Sequence, residues 1–375
     1  MHKPDPEFTL KLLAAGLARL RTRKNPTARV RQDDMPPEMR RGLVLLSATC
    51  LYDGLDDLGS CIHEFMELAT IPIRDWGLST FHPPFRFADI TLIDGQAGVP
   101  TQECMDIAEE EGISNIAEGL HFDQFYQAVS NLRSRQQAPA YTQIREFIVR
   151  NPVAPVNAIK KLASDPVLMR IADLFEAFYE PIPIGAIRNG GSILTCNRCG
   201  SILWPDTDAK TFPEGRCRLS HCNEKGASKC GKVIHDPRDH RTIKKEILAY
   251  WVGPGLDEIL IYDCLNAKNV SATLYPDRDA VDVGAKNLSF GIDAKSYACP
   301  SLLGRKLSSG IGRLAKYAER YIAVPDAKLT FNPNYLSELK AAYTGKTPIS
   351  FMTVSDTIKT VSAKYGKPST SGAEP

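Results

Sequence analysis

Apolar residues recur at helical spacing over residues 8–20, 39–70, 141–149 and 156–179, with polar positions between them. The pattern predicts that residues 1–180 are mostly helix. Inside that region, residues 70–100 form a loop-rich stretch in which the run FADITLID is strand-like, and residues 101–137 read as acidic and then mixed helices with Glu109, Glu110 and Glu111 on an exposed face. The periodicity changes in residues 256–297. One short helix is followed by three strands that carry acidic residues and end on Asp293-Ala294-Lys295. Side chains alternate along a strand, so Phe290, Ile292 and Ala294 point to one face while Asp293 and Lys295 share the other. Residues 305–321 place Leu307, Ile311, Leu314 and Ala318 on one side of a helix and Lys306, Arg313, Lys316 and Arg320 opposite. That is an amphipathic helix with a basic stripe, read either as a solvated face or as a phosphate contact. The apolar run 320–325, ended by proline, predicts a further strand.

The acidic residues of this second region are placed as a site would place them. Asp282 alternates with Val281 and Val283, and a turn at residues 284–287 lets it meet Asp293 across a hairpin. Glu258 sits at helical spacing from Ile261, Tyr262 and Leu265. A carboxylate on an apolar stripe is costly without a partner, and a metal ion is one such partner. Two carboxylates hold Mg²⁺ well, because it is a hard cation that takes oxygen ligands. A lysine beside them can orient a water and offset charge growing on a phosphate. The alternative for Asp282 and Asp293 is a pair of surface turn and edge residues, against which stand the flanking Val, Ile and Phe.

This segment resembles the core of the PD-(D/E)XK nucleases, which have a restriction-endonuclease-like fold. The resemblance implies catalytic roles for Glu258, Asp282, Asp293 and Lys295, with Asp282 and Asp293 holding Mg²⁺ or Mn²⁺. The sequence departs from the written motif at Pro276-Asp277, which comes too early on its strand, so Asp279 is an alternative first acid. Glu246 is the alternative helix carboxylate.

Composition limits the chain more loosely. Its 375 residues suffice for two or three domains, and 43% hydrophobic and 24% charged residues are ordinary for a globular protein. A net charge of +2 does not mark a nucleic-acid binder, so affinity for DNA would rest on local patches. One such patch is the cluster Arg19, Arg21, Arg23, Lys24, Arg29 and Arg31, which otherwise reads as a solvated connector. No apolar run nears the ~20 residues of a membrane span and the N-terminus has no signal-peptide core, so a cytoplasmic protein is expected. His63, His82 and His121 lack ligand spacing, and residues 367–375 read as a disordered tail.

Five of the ten cysteines fall within residues 196–230, which in a reducing compartment points to metal rather than disulfides. Cys196-Asn-Arg-Cys199-Gly is the tight turn of a zinc ribbon. Cys217 and Cys222 are the favoured second pair, with Cys230, His221 and His235 as competitors. Four Cys ligands would close the coordination shell, making the zinc structural.

The order of the parts carries a narrower resemblance. IREFIVRNPV, YEPIPIG, the cysteine knuckle, GLDEILIYDCL and the D…D-A-K core, within residues 141–325, resemble the restriction-endonuclease-like component encoded beside prokaryotic PIWI-like proteins (pPIWI-RE). The resemblance implies a defence system against invading DNA, with DNA as substrate and a PIWI-like protein and a helicase as partners. A homodimer would suit double-strand cleavage. The expected fold is α+β: a helical region over 1–180, a zinc ribbon over 181–236, and an αβββαβ restriction-endonuclease-like core with mixed sheet over 237–325. A C-terminal extension with the disordered tail covers 326–375. The competing readings are a catalytically inactive nuclease fold that binds DNA or assembles a complex, and a zinc-ribbon factor whose C-terminal acids are structural.

Overall fold

A computed structural model describes residues 3–21, 35–110, 124–223 and 226–366. Most of the basic cluster of residues 19–31, Glu111, His121 and the tail 367–375 lie outside the described residues. The chain divides into two compact units, Met1–Phe125 with Tyr297–Leu302, and Tyr126–Ser296 with Leu303–Pro375.

The first unit is helical, as its periodicity predicts. Helices Pro6–Arg21 and Pro37–Asp53 cross closely because glycine stands at the contact. A Cβ at Gly16 would lie 2.5 Å from Met39 Cβ. Beside them, Phe65, Trp76, Phe81, Phe85 and Phe87 form a chain of edge and tilted ring contacts. The run FADITLID is not one strand. Only Ile93–Asp94 (β1) pairs, with Val99–Pro100 (β2), because Phe87, Ile90 and Leu92 are all drawn into the core and the preceding residues turn to deliver them.

The second unit begins with helix Ser134–Arg150 and strand β3, Val153–Pro155. The helix expected over 156–179 is interrupted. Val156–Ala163 stops where Asp165 accepts the N–H groups of Val167 and Leu168 at 2.8 and 3.3 Å and Pro166 disfavours a helical residue before it. Helix Ala172–Phe178 then leads into β4, Tyr179–Pro181. A small sheet of β5 (Ile193–Cys196), β6 (Ile202–Trp204), β7 (Arg216–Cys217) and β8 (Cys230–Ile234) follows, in the order β7-β6-β5-β8. Strand β9, His240–Ile243, returns between β3 and β4 and pairs antiparallel with both. Helix Gly253–Ala267 comes next, and it packs against Ser134–Arg150 at Gly255, where a Cβ would lie 2.5 Å from Val149 Cγ2.

The main sheet is mixed. Strands β10 (Ala272–Leu274), β11 (Val283–Ala285) and β12 (Phe290–Ala294) run antiparallel, and β13 (Glu319–Val324) and β14 (Ser350–Thr353) add in parallel. The apolar run 320–325 is therefore an internal strand, with β14 paired beyond it. Gly284 and Gly291 face each other across β11 and β12, and the Tyr317 ring lies on them. On the other face Phe290 meets Tyr365 of helix Val354–Tyr365, ring centroids 5.0 Å apart.

The single amphipathic helix expected over 305–321 does not form. Helix Pro300–Ser309 ends at Gly310, Gly312 adopts φ +53°, and only a short turn, Gly312–Lys316, precedes β13. The basic stripe dissolves with it. Arg313 donates to the carbonyls of Asp277 and Arg278 at 2.7 and 2.9 Å, and Arg320 to that of Ala315.

Candidate active site and cysteine centre

The hairpin of β11 and β12 brings Asp282 and Asp293 together through reciprocal backbone bonds. Asp282 Oδ2 accepts the Ala294 N–H at 2.6 Å, and Asp293 Oδ1 accepts the Asp282 N–H at 3.3 Å. Lys295 is anchored to β13 by its own N–H on the Ala323 carbonyl. Its Nζ stands 3.9 Å from Asp282 Oδ2 and 4.0 Å from Asp293 Oδ2. Phe290, Ile292 and Ala294 are buried on the alternate positions, so the apolar back of β12 fixes which way the acid and the amine point.

Glu258 has a different environment. Its two oxygens both lie 3.2 Å from Arg145 Nη2, and the Tyr275 hydroxyl donates to it at 2.5 Å. Both Glu258 and Arg145 are buried. Asp279, the alternative acid, takes a hydrogen bond from the Tyr141 hydroxyl at 2.9 Å and lies 3.4 Å from Arg145 Nη1. Its Oδ1 is buried without a hydrogen bond. Glu246 sits elsewhere, its charge acting on Glu180.

Asp279 reaches this position on unusual backbone. Asp277, Arg278 and Asp279 have φ of 50°, 59° and 69°, following Tyr275 at 48°. Left-handed L-residues cost about 1–2 kcal/mol each, so the segment must be held by its surroundings. Arg313 binds two of its carbonyls, Arg278 donates to Ser130 and lies over the Tyr126 ring, and the Tyr275 N–H bonds the Asp282 carbonyl at 2.9 Å.

The electrostatics of the group show a deficit of positive charge. Burial, then the charge of Glu258, pushes the Asp282 carboxyl well above the usual carboxylate range, although Lys295 pulls it back. Burial also raises Asp293 against the opposing pull of Lys295, and raises Glu258 against that of Arg145. Burial disfavours the Lys295 ammonium, yet Asp282, Asp293, Glu258 and Asp279 together outweigh it and raise its pKa. Four carboxylates thus face two cations, Lys295 and Arg145. Asp282 Oδ1 and Asp293 Oδ2 remain outside the backbone bonds, and Asp279 Oδ1 is buried without a hydrogen-bond partner, as is Arg145 Nε. These oxygen donors fit a hard divalent cation; Glu258, with both oxygens on Arg145, does not offer a free one.

Sequence reasoning missed Arg145, Tyr141 and Tyr275. A signal for the first two existed: Tyr141 and Arg145 lie four apart on an apolar stripe with Ile144 and Ile148, the same pattern that singled out Glu258.

The structure brings Cys196, Cys199, Cys217 and Cys222 into one buried cluster, their sulfurs all within 4.8 Å of one another. Cys199 and Cys217 sulfurs are 3.5 Å apart, close to the separation of about 3.8 Å that a tetrahedral thiolate site with ~2.3 Å metal–sulfur bonds requires. Gly200 at φ +74° closes the knuckle, and the N–H groups of Arg198 and Leu219 each point at the sulfur two residues back, at 3.4 Å. Hydrogen bonds with Cys199, Cys217 and Cys222 hold the Cys196 thiol low, while those with Cys196, Cys199 and Cys217 push Cys222 up. Thiols this close can all ionise only around a cation, and a cluster of this chemistry could bind zinc. Cys230 lies outside the cluster with its sulfur on the Lys232 carbonyl. His221 pairs with Asp257 of helix Gly253–Ala267 at 3.7 Å, tying this small sheet to the helix that carries Glu258.

Two expectations follow from these geometries. Purified protein should carry one zinc per chain by elemental analysis, and Cys199→Ser should lose it together with the lowest-temperature unfolding transition. In chelator at pH 8, Asp282→Asn should raise the unfolding midpoint by about 2–4 °C, the shift that ~1 kcal/mol produces at this size. A raised folded-state pKa means that protonation favours the fold. The wild type's disadvantage is therefore full above that raised pKa and vanishes below the ordinary aspartate value of about 3.9. Measuring the midpoint difference against pH checks both sign and window.

The chain matches two family models. One, described as the pPIWI_RE three-gene island domain Y, covers residues 9–155; the other, described as the REase associating with pPIWI_RE, covers residues 255–369. No curated protein and no solved structure matches the chain. The second match spans Glu258, Asp279, Asp282, Asp293 and Lys295 together, and the two matches support a pPIWI-RE-associated, REase-like protein.

Proposed function

We propose that the protein is a Mg²⁺-dependent endonuclease that hydrolyses DNA phosphodiester bonds. The observation that supports this reading best is the convergence of Asp282, Asp293 and Lys295 on one hairpin end, where the carboxylates outnumber the available cations. Asp282 and Asp293 would hold Mg²⁺, or Mn²⁺, which when bound polarises the scissile phosphate and makes water more acidic. Lys295 orients the attacking water and offsets the charge that grows on the phosphate in the transition state. Arg145 holds Glu258 through both of its oxygens, beside the hairpin acids. The four-cysteine cluster would bind zinc as a structural staple, with every position of its shell filled by protein.

The family descriptions name a multi-gene island, which supports partner proteins of the same system, and we infer a defence role in which a PIWI-like protein and a helicase act with this chain on invading DNA. Free buried thiols suit a reducing, cytoplasmic setting, and among the described residues no helix is long and apolar enough to cross a membrane. Cutting both strands with one site per chain favours two copies acting together.

The test is cleavage of duplex, single-stranded and RNA-hybridised DNA in Mg²⁺ or Mn²⁺, alone and with the PIWI-like protein and helicase. Wild type should cut at least one form. Lys295→Ala should slow it about 10²–10³-fold, the usual loss of one transition-state stabiliser, and Asp293→Ala should abolish it. Wild type and Lys295→Ala equally inert on every form, partners included, would leave an assembly or DNA-binding subunit as the reading.

A further inference from the structure

We propose that Arg145 is a positioning residue of this site, so that the helix near the end of the domain Y match is a working part of the REase centre. The inference rests on the nuclease reading above. Arg145 lies in the span matched by domain Y and 110 residues before the REase match begins at residue 255, yet its guanidinium is buried among the residues of the REase centre.

Arg145 grips both ends of the segment that delivers Asp282. At one end it holds Glu258 through both oxygens at 3.2 Å, and Glu258 in turn takes the hydroxyl hydrogen bond of Tyr275. The Arg145 guanidinium also lies over the Tyr275 ring, 4.7 Å from its centroid, and the Tyr275 N–H is bonded to the Asp282 carbonyl at 2.9 Å. At the other end Arg145 Nη1 lies 3.4 Å from Asp279 Oδ2, which the Tyr141 hydroxyl also holds. The consecutive left-handed residues Asp277, Arg278 and Asp279 lead from the Tyr275 anchor to this second one. A segment with that backbone does not hold itself in place. One planar guanidinium, with its donors in a fixed fork, meets two acids and a ring at once in a way that a lysine ammonium cannot.

Residues that orient a metal-binding set without touching the ion change affinity or activity by about 10–100-fold when removed. The test uses the full-length, zinc-loaded protein. Mn²⁺ affinity is read from the free-ion electron paramagnetic resonance signal, and kcat and KM are read on the DNA form that the wild type cleaves. Asp282→Asn/Asp293→Asn marks the signal that belongs to this site. Arg145→Met should weaken Mn²⁺ binding at least tenfold and lower kcat with KM for DNA little changed, and Arg145→Lys should restore only part of either. If Arg145→Met fails to fold, as judged by zinc content and circular dichroism, the same two readouts on Arg145→Lys decide. A purely structural role predicts a lower unfolding midpoint with wild-type Mn²⁺ affinity and kcat, and that result overturns the proposal while leaving the nuclease reading standing. Wild type that binds Mn²⁺ at Asp282 and Asp293 without cleaving overturns the nuclease reading, and the Arg145 effect on affinity is then judged on binding alone. Wild type that neither binds nor cleaves removes both.

Discussion

Four carboxylates drawn from a helix, a left-handed turn and a hairpin share one region of the second unit with only two cations. Concentrating like charge away from water is costly, and much of the surrounding structure can be understood as what makes it tolerable. Reciprocal backbone bonds hold Asp282 and Asp293 in register. Arg145 neutralises Glu258 and reaches Asp279. Lys295 sits between the two hairpin acids. The imbalance that remains is concentrated on Asp282 and Asp293, where the freest oxygens are. Sites that bind ions or perform acid–base chemistry often carry such perturbed groups.

The rest of the second unit serves this arrangement by fixing its pieces. Gly284 and Gly291 let the Tyr317 ring lie against β11 and β12 beside the hairpin acids. Gly255 lets helix Ser134–Arg150 approach helix Gly253–Ala267 closely enough for Arg145 to reach Glu258. The four-cysteine cluster closes a small sheet whose own core is modest, with Ala186, Ile193 and Ile202 buried and Val153, Ile182, Ile187, Trp204 and Ile234 packed against them. Through His221 and Asp257 it also meets the helix bearing Glu258.

Much of this was legible in the sequence because it follows from short periods. Alternation at Phe290, Ile292 and Ala294 located β12 and with it the orientation of Asp293 and Lys295. Cysteine spacing located the cluster, and the apolar stripe through Ile261 and Leu265 showed that Glu258 must be buried. The partner of Glu258 was not legible, because Arg145 lies 113 positions away and only the tertiary fold joins them. Nor was the left-handed turn at Asp277, Arg278 and Asp279, since Asp only modestly favours positive φ and Arg278 between them does not. The helix expected over 305–321 failed for a readable reason that its periodicity outweighed: Gly310 and Gly312 interrupt it, and Arg313 is needed to hold the Asp277 and Arg278 carbonyls. Strand β14 escaped notice because a four-residue edge strand leaves too short a pattern to register.

The central claim is that the hairpin acids converge on one divalent ion. Crystals of the full chain soaked in Mn²⁺ and measured for anomalous scattering test it most directly. The account predicts a peak about 2.1–2.2 Å from carboxylate oxygens of both Asp282 and Asp293, with Glu258 still on Arg145. An empty hairpin in crystals that carry Mn²⁺ elsewhere, or a peak held by Glu258 with Arg145 displaced, would contradict it.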